Sequence, residues 1–396
     1  MAPHTPYSPN RIRGLQQALR DAGIDAALIN YSRSLLYYAG TTQPSFLIIT
    51  PEDHHLLVFR GLDAAREEGR LAPEQMSQAT NPHDLERVLE EMGIRSPCLG
   101  MELDIIPTRQ YRQVSERFPH SRIEDISGLI LRQRTIKDAQ EIQYTREACR
   151  VLHHGHERIL EVLKPGMTEL ELSAEIEDAH RKAGHEGLYF IRQFDFFMGR
   201  GPLASGENLT RIAGRIQSIT GAGLSPSIPM GASRKRIQAG EAVVVDIPTH
   251  CQGYHCDQSR TYVAGTAGQG CANLHGAMRE IADRVIDAVR PGMTCGQTYD
   301  VAAACARKLG VEPHFMRLGG GAGSVPFVGH GIGLELNEPP LISRGSSEPL
   351  EEGMTLALEL EMCGPNEEVV KLEDTLLVTA HGAEILTVTP RELFQV

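Results

Sequence analysis

Gly240-Glu-Ala-Val-Val-Val-Asp246, followed a few residues on by Gln252-Gly253-Tyr254-His255-Cys256-Asp257-Gln258-Ser259-Arg260-Thr261, is the stretch from which the fold can be read. Gln252-Gly253 reads as a two-residue hairpin turn, which sets Asp246 opposite Ser259. Side chains alternate along a strand, so Asp257 shares the face of Ser259 and therefore of Asp246. Diagonal neighbours on such a pair lie roughly 7 Å apart, close enough for both carboxylates to meet one ion. Val243, Val245 and Ile247 point the other way, where helices are expected to cover them. An aspartate inside a valine-rich strand is costly to bury without a partner. A metal ion meets that need, and an aspartate–arginine pair is the alternative.

The same arrangement occurs a second time. Gly353-Met-Thr-Leu-Ala-Leu-Glu359 again places a carboxylate six residues after a glycine, and Glu373, in Glu-Asp-Thr375, supplies the second acid. Upstream, Lys164-Pro-Gly-Met-Thr168 recurs as Arg290-Pro-Gly-Met-Thr294. Each copy follows an amphipathic helix and precedes another, over 169–182 and 296–309, and Pro-Gly between two helices forces a turn. Two halves, each a helix pair and a carboxylate-bearing hairpin, imply an α+β domain over 128–396 with pseudo-twofold symmetry and its acids at the centre. The preceding 1–127 reads as a smaller α/β domain. It has helices over 11–22, 81–92 and 108–118, strands over 25–30 and 98–103, and a hairpin of 46–50 with 55–59.

Composition narrows the function. The 396 residues carry 39 Lys plus Arg against 51 Asp plus Glu, a formal charge of −12, which disfavours nucleic acid as a partner. No apolar run is long enough to span a bilayer, and the N-terminal residues lack the apolar stretch of a signal peptide. The 8 cysteines are scattered without Cys-x-x-Cys pairs, a pattern that suits reduced thiols and a cytoplasmic location.

Gly329-His330-Gly331-Ile332-Gly333 adds a histidine that its glycine neighbours leave free to approach an ion closely. Asp246, Asp257, His330, Glu359 and Glu373 together form an oxygen-rich set suited to two divalent cations. Manganese is expected first, with cobalt, iron or zinc also compatible. Two such ions about 3.5–4 Å apart activate water and polarise a carbonyl.

These strings, with Ile136-Lys137-x-x-x-Glu141-Ile142, Tyr38-Ala-Gly40 and Glu352-Gly353-Met354, resemble the pita-bread metallopeptidases, in particular the aminopeptidase P, prolidase and creatinase branch. The resemblance spans nearly the whole chain. It implies an accessory domain followed by a pita-bread catalytic domain, a small peptide or amide as substrate, and a homodimer. It also implies that Asp246 and Asp257 hold one ion, that Asp257 and Glu373 bridge, and that His330 and Glu359 complete the second site. Glu359 or Glu373 would then take a proton from the attacking water.

The chain departs from the family pattern at four places. Pro229-Met230-Gly231 stands where Pro-His-Gly is usual, and Asn337-Glu338-Pro339-Pro340 where His-Glu-x-Pro is usual. Glu359-Leu360-Glu361 replaces Glu-Pro-Gly, and Lys371 replaces an arginine. Methionine and asparagine transfer no proton near neutral pH. Asn337 therefore takes a substrate-positioning place, and His250 or His255, on the aspartate face of the hairpin, is the candidate proton relay. His250-Cys251 with His255-Cys256 is weighed as a separate zinc site and disfavoured, because adjacent residues face opposite ways. Glu361 either joins the pocket or reaches solvent. Residues 192–215 are candidates to line the pocket, and the histidines at 153, 154 and 156 are expected at the surface. A Xaa-Pro peptidase is the leading reading. A family member acting on a small metabolite, by hydrolysis or elimination, is second, and a non-catalytic binding protein third.

Overall fold

The computed structural model describes residues 9–396 except 96, 197, 199, 215, 321 and 322. The chain forms two compact units, one ending at Arg134 and the other running from Thr135 to Val396. The junction expected after residue 127 falls at the start of the helix Ser127–Thr135, so the units separate at the far end of that helix.

The first unit is built on a six-stranded sheet. Its order is Met76–Gln78, His54–Val58, Ser45–Ile49, Ala26–Ile29, Cys98–Met101, Arg122–Asp125. The expected hairpin is present, with Ile48 opposite His55. The helix expected over 81–92 begins only at Asp84. The Asp84 carboxylate accepts from the main-chain N–H of Thr80 (2.6 Å) and of Asn81 (2.8 Å), so those residues are held in a turn before the helix.

In the second unit the duplication holds in detail. Helices α1 (Ala139–Val162) and α2 (Glu169–Ala183) precede strands β1 (Ala242–Asp246) and β2 (Ser259–Val263). Helices α3 (Gln269–Ala288) and α4 (Cys295–Lys308) precede β3 (Phe327–Gly331), β4 (Thr355–Cys363) and β5 (Val369–Thr379). Gly166 and Gly292 turn the chain between helices at φ of 91° and 86°, in the left-handed region. Thr168 and Thr294 then start α2 and α4 with matching capping boxes. Each threonine hydroxyl accepts from the main chain three residues on (3.1 Å in both), and Glu171 or Gln297 reaches back to the cap.

Gln252 and Gly253 both have positive φ, 53° and 81°, as the tightest hairpin turn requires. The register follows, with His250 opposite His255 and, further along, Asp246 opposite Ser259. Val243, Val245 and Ile247 pack on Ile159, Leu163, Leu172 and Ile176 of the α1–α2 layer, as the alternation predicts. On the other half, Met278, Ile281 and Val285 of α3 cover Leu356, Leu358 and Leu372 of the β4–β5 pair.

The four-stranded sheet that holds β1 and β2 and the five-stranded sheet that holds β3, β4 and β5 meet along β2 and β5. Thr261 Oγ1 donates to the Lys371 carbonyl and accepts from the Lys371 N–H, both at 2.9 Å. The Asp257 N–H donates to Thr375 Oγ1 at 3.0 Å. The acids of both halves therefore arrive at one seam.

One surface expectation is corrected. His156 is buried, its Nδ1 lying 2.9 Å from the Tyr262 hydroxyl and its ring tilted against Phe394. Residues distant in sequence bury it, so local pattern gave no warning. Among the described residues no helix is long and apolar enough to cross a membrane.

Candidate active site

Strand pairing dictates where the site forms. Glu359 on β4 lies directly opposite Glu373 on β5. Like charges in that relation repel, so the pair needs a cation between them. His330 on β3 is opposite Ala357, two residues from Glu359 and on its face. Asp246 ends β1, and Asp257 sits just before β2. All five side chains are buried or nearly so.

The five expected ligands gather into two overlapping groups. One comprises Asp257, His330 and Glu373, the other Asp246, Glu359 and Glu373, and within each the ligand atoms lie within 4.8 Å of one another. His330 Nδ1 lies 2.9 Å from the Gly331 carbonyl. That contact assigns its proton to Nδ1 and leaves Nε2 as the ligand atom. Glu373 Oε2 accepts from Ser259 Oγ at 2.8 Å, while Glu373 Oε1 is buried without a hydrogen-bond partner. An orphaned carboxylate oxygen among other carboxylates is what a bound cation would satisfy. The donor set of carboxylates and one imidazole fits hard divalent ions.

Electrostatics agree. Burial pushes Asp246 above the usual carboxylate range, with Glu359 adding to the rise and Lys371 opposing it. Asp257 and Glu373 are pushed up further, by burial first and then by neighbouring carboxylates. Burial acts on Glu359 in the same direction, but Lys371 and His330 outweigh it and hold this carboxyl low. The arginine of the hairpin, Arg260, is not the partner of these acids. It pairs with Asp374 at 2.6 Å and donates to the carbonyls of Glu373, Thr389 and Pro390. Arg391 also reaches Asp374, at 2.7 Å.

The cation that does reach the ligands is Lys371. Its Nζ lies 2.5 Å from Asp246 Oδ2, 2.6 Å from Glu359 Oε1 and 2.9 Å from Ser218 Oγ. In the sequence Lys371 stands out only as a departure from the family's arginine. The signal was present: Lys371 and Glu373 are two apart on one strand and so share a face. Ser218 was not singled out at all. It also donates to Glu361 Oε2 at 3.1 Å, and Glu361, opposite Lys371 on β4 and pushed up to about 7 by burial above all, is buried rather than reaching solvent.

A cavity of about 320 Å³ opens on the ligands and is lined by Asp246, Asp257, His330 and Glu359. Phe196, Met198, Ile216, Phe327, Leu336 and Leu341 form its apolar wall, and Gln193, Gln217, Ser218 and Asn337 its polar points. Of the stretch 192–215, Gln193, Phe196, Met198 and Pro202 reach this cavity. Ser205 is instead bonded to Glu169 (2.8 Å), and Arg215 lies outside the described residues. Met230 lines a neighbouring apolar cavity that also touches Met198.

The two hairpin histidines stack on each other at 5.0 Å. His255 Nδ1 is 2.9 Å from the Gly333 carbonyl, and its Nε2 accepts from the Phe190 N–H at 3.2 Å, which leaves no ring nitrogen for a proton relay. His250 pairs through Nε2 with Glu186 at 2.9 Å, its Nδ1 is buried without a hydrogen-bond partner, and it is not among the residues lining the cavity on the ligands. The four His and Cys residues of the hairpin form none of the ligand groups found among the described residues.

The model of metallopeptidase family M24 matches residues 143–380, and that of the creatinase/prolidase N-terminal domain matches 11–136. The chain belongs to metallopeptidase family M24. The Xaa-Pro dipeptidase of Pyrococcus furiosus is 25% identical over 97% of this chain and 99% of its own length. The probable dipeptidase PepE of Mycobacterium tuberculosis is 29% identical over 68% of this chain and 63% of its own. Among solved structures, the prolidase of Pyrococcus horikoshii OT3 superposes with a TM-score of 0.78 at 25% identity, covering 97% of this chain and 99% of that one. The expected two-domain architecture, an accessory domain before a pita-bread domain, is therefore that of this metallohydrolase family. Its centre is one for divalent metal ions.

Proposed function

We propose that the protein is a prolidase-like peptidase that cleaves small Xaa-Pro peptides with two divalent ions, manganese first, held by Asp246, Asp257, His330, Glu359 and Glu373. The observation that carries this reading is the meeting of the five expected ligands in two overlapping groups, four of them lining one small cavity with an apolar wall. Ions bound there would lower the pKa of water and polarise a scissile carbonyl. Cobalt, iron or zinc would fit the same donors less specifically.

The chain's own residues supply the rest. The apolar wall accommodates a pyrrolidine ring and keeps bulk water from the reacting atoms. Asn337, on that wall, offers an amide that both donates and accepts toward a peptide group, so it orients substrate without moving a proton. Glu359 and Glu373 are the carboxylates placed to take up a proton. The cavity's size favours a dipeptide over a longer chain. Cytoplasmic residence and a homodimer belong to the same proposal.

Purified protein depleted with a chelator and reloaded with manganese, then offered a panel of Xaa-Pro dipeptides and amides, tests the reading. Proline release that needs the metal supports it, and a fully loaded protein that cleaves none of them refutes it. Asn337 in the cavity and Met230 outside it favour a second reading, hydrolysis or elimination of a small non-peptide metabolite, which a metabolite panel run beside the dipeptides would reveal.

A further inference from the structure

His255 sits on the hairpin that turns at Gln252-Gly253 and is fully buried. Its main-chain N–H donates to the Gly333 carbonyl at 2.8 Å, and its ring Nδ1 donates to the same oxygen at 2.9 Å. On the far side of the ring, Nε2 accepts from the Phe190 N–H at 3.2 Å. Leu336 closes the circuit, its N–H donating to the Phe190 carbonyl at 2.7 Å. A neutral imidazole has one donor and one acceptor nitrogen, and here each engages a different stretch of backbone. His250 stacks on the ring at 5.0 Å and the Phe190 ring meets it edge-on at 6.2 Å, so neighbours hold it in this orientation.

Both stretches are irregular. Residues 188–192 and 332–337 belong to no helix or strand, so no ladder supplies partners for their peptide groups. Yet they lead directly into the cavity wall, the first into Gln193 and the second into Leu336 and Asn337. The far end of the second stretch is held by a buried ion pair, Lys137 Nζ to Glu338 Oε2 at 3.2 Å, while Glu338 Oε1 accepts the Glu335 N–H at 3.0 Å. The near end is held by His255.

We propose that His255 is a positioning residue for substrate: its imidazole ties two irregular wall segments to the metal-bearing hairpin and thereby sets where Gln193, Leu336 and Asn337 meet a bound peptide. It neither holds metal nor moves a proton. This rests on the catalytic-cavity part of the proposed function, and the clamp itself is measurable without any substrate.

The test uses the manganese-loaded full chain. Hydrogen–deuterium exchange read by mass spectrometry should find the Phe190 and Leu336 amides protected in the wild type, and His255→Ala should speed the exchange of both about tenfold. His255→Gln, whose amide oxygen reaches the place of Nε2, should restore protection at Phe190. On the Xaa-Pro dipeptide cleaved best, His255→Ala should raise KM about tenfold with bound manganese unchanged, and His255→Gln should recover most of that loss. In an Asn337→Ala background the same His255→Ala change should raise KM less than about threefold, because the residue it acts through is gone. Rapid exchange at Phe190 in the wild type overturns the inference and needs no variant to fold. So does a His255→Ala protein that loses manganese, or that loses kcat at unchanged KM. A wild type that cleaves no dipeptide refutes the peptidase reading, while its exchange pattern still supports or overturns the clamp.

Discussion

Replacing Glu373 by glutamine separates the two roles that the centre's charge plays. Without metal, Glu373 is a buried carboxylate with one oxygen unpartnered, beside Asp257 and Glu359. Removing a buried carboxyl whose ionisation the fold opposes should stabilise the metal-free protein by about 1–3 kcal/mol at neutral pH, where the unfolded chain would ionise it. For a unit the size of Thr135–Val396, a stability change of 1 kcal/mol moves the melting temperature by roughly 2 °C. The metal-free variant should therefore melt about 2–6 °C above the metal-free wild type. With metal the order reverses. Manganese at a thousandfold excess over its dissociation constant stabilises the wild type by about 4 kcal/mol, or about 8 °C, and the variant should keep less than half of that rise.

The pH dependence has a definite sign. A carboxyl whose folded pKa is raised keeps its proton in the native state after the unfolded chain has lost it. Metal-free stability therefore falls as pH rises from the ordinary carboxylate range through the raised value. In the variant that slope becomes shallower but does not vanish, because Asp257 and Asp246 are raised as well. Thermal melts by circular dichroism, with chelator or with manganese, across pH 5 to pH 8, read all three quantities. An unchanged metal-dependent rise in the variant, or a lower metal-free melting temperature, would refute the reasoning.

Other expectations follow from the same geometry. Asp374→Ala leaves Arg260 buried without its 2.6 Å partner and should lose about 3–5 kcal/mol by urea denaturation. Because Arg260 and Arg391 overcome burial and hold Asp374 below its usual range, the wild type should keep that contribution at neutral and mildly acidic pH and lose it as pH falls through the lowered value. Gly155→Ala places a methyl 2.1 Å from His180 Nε2, which is bonded to the Leu152 carbonyl at 3.0 Å. Despite a helix-propensity gain of about 1 kcal/mol, it should destabilise the α1–α2 layer by about 1–3 kcal/mol, measured by the same denaturation. Asn337→Ala should lower kcat/KM on a cleaved dipeptide about tenfold while leaving bound manganese unchanged, a split that assigns the amide to substrate rather than metal.

The sequence was most legible where local geometry leaves little choice. A Gln-Gly turn with positive φ at both positions fixes the hairpin register, and the register brings Asp246 and Asp257 to one face. The Pro-Gly-Met-Thr repeats likewise announced a turn between paired helices and, through it, the duplicated architecture, which the matching capping boxes then display. What stayed hidden depends on partners from elsewhere in the chain. His156 is buried by Tyr262 and Phe394, and His255 is tied to Gly333 and Phe190. No periodicity near either histidine records those neighbours. Lys371 is intermediate. Its face was readable from its spacing to Glu373, but its position between Asp246 and Glu359 emerges only once two sheets are joined.

That join carries a consequence of its own. Asp246 and Asp257 come from one half of the duplicated unit, while His330, Glu359 and Glu373 come from the other, and Thr261 is hydrogen-bonded across to the Lys371 backbone between them. Neither half alone owns a complete coordination shell, so a bound ion acts as a rivet through both. Loosening the molecule along this line would release its metal before either half had lost its own strands and helices, which makes the rate of metal escape to a chelator a direct gauge of how often the halves part.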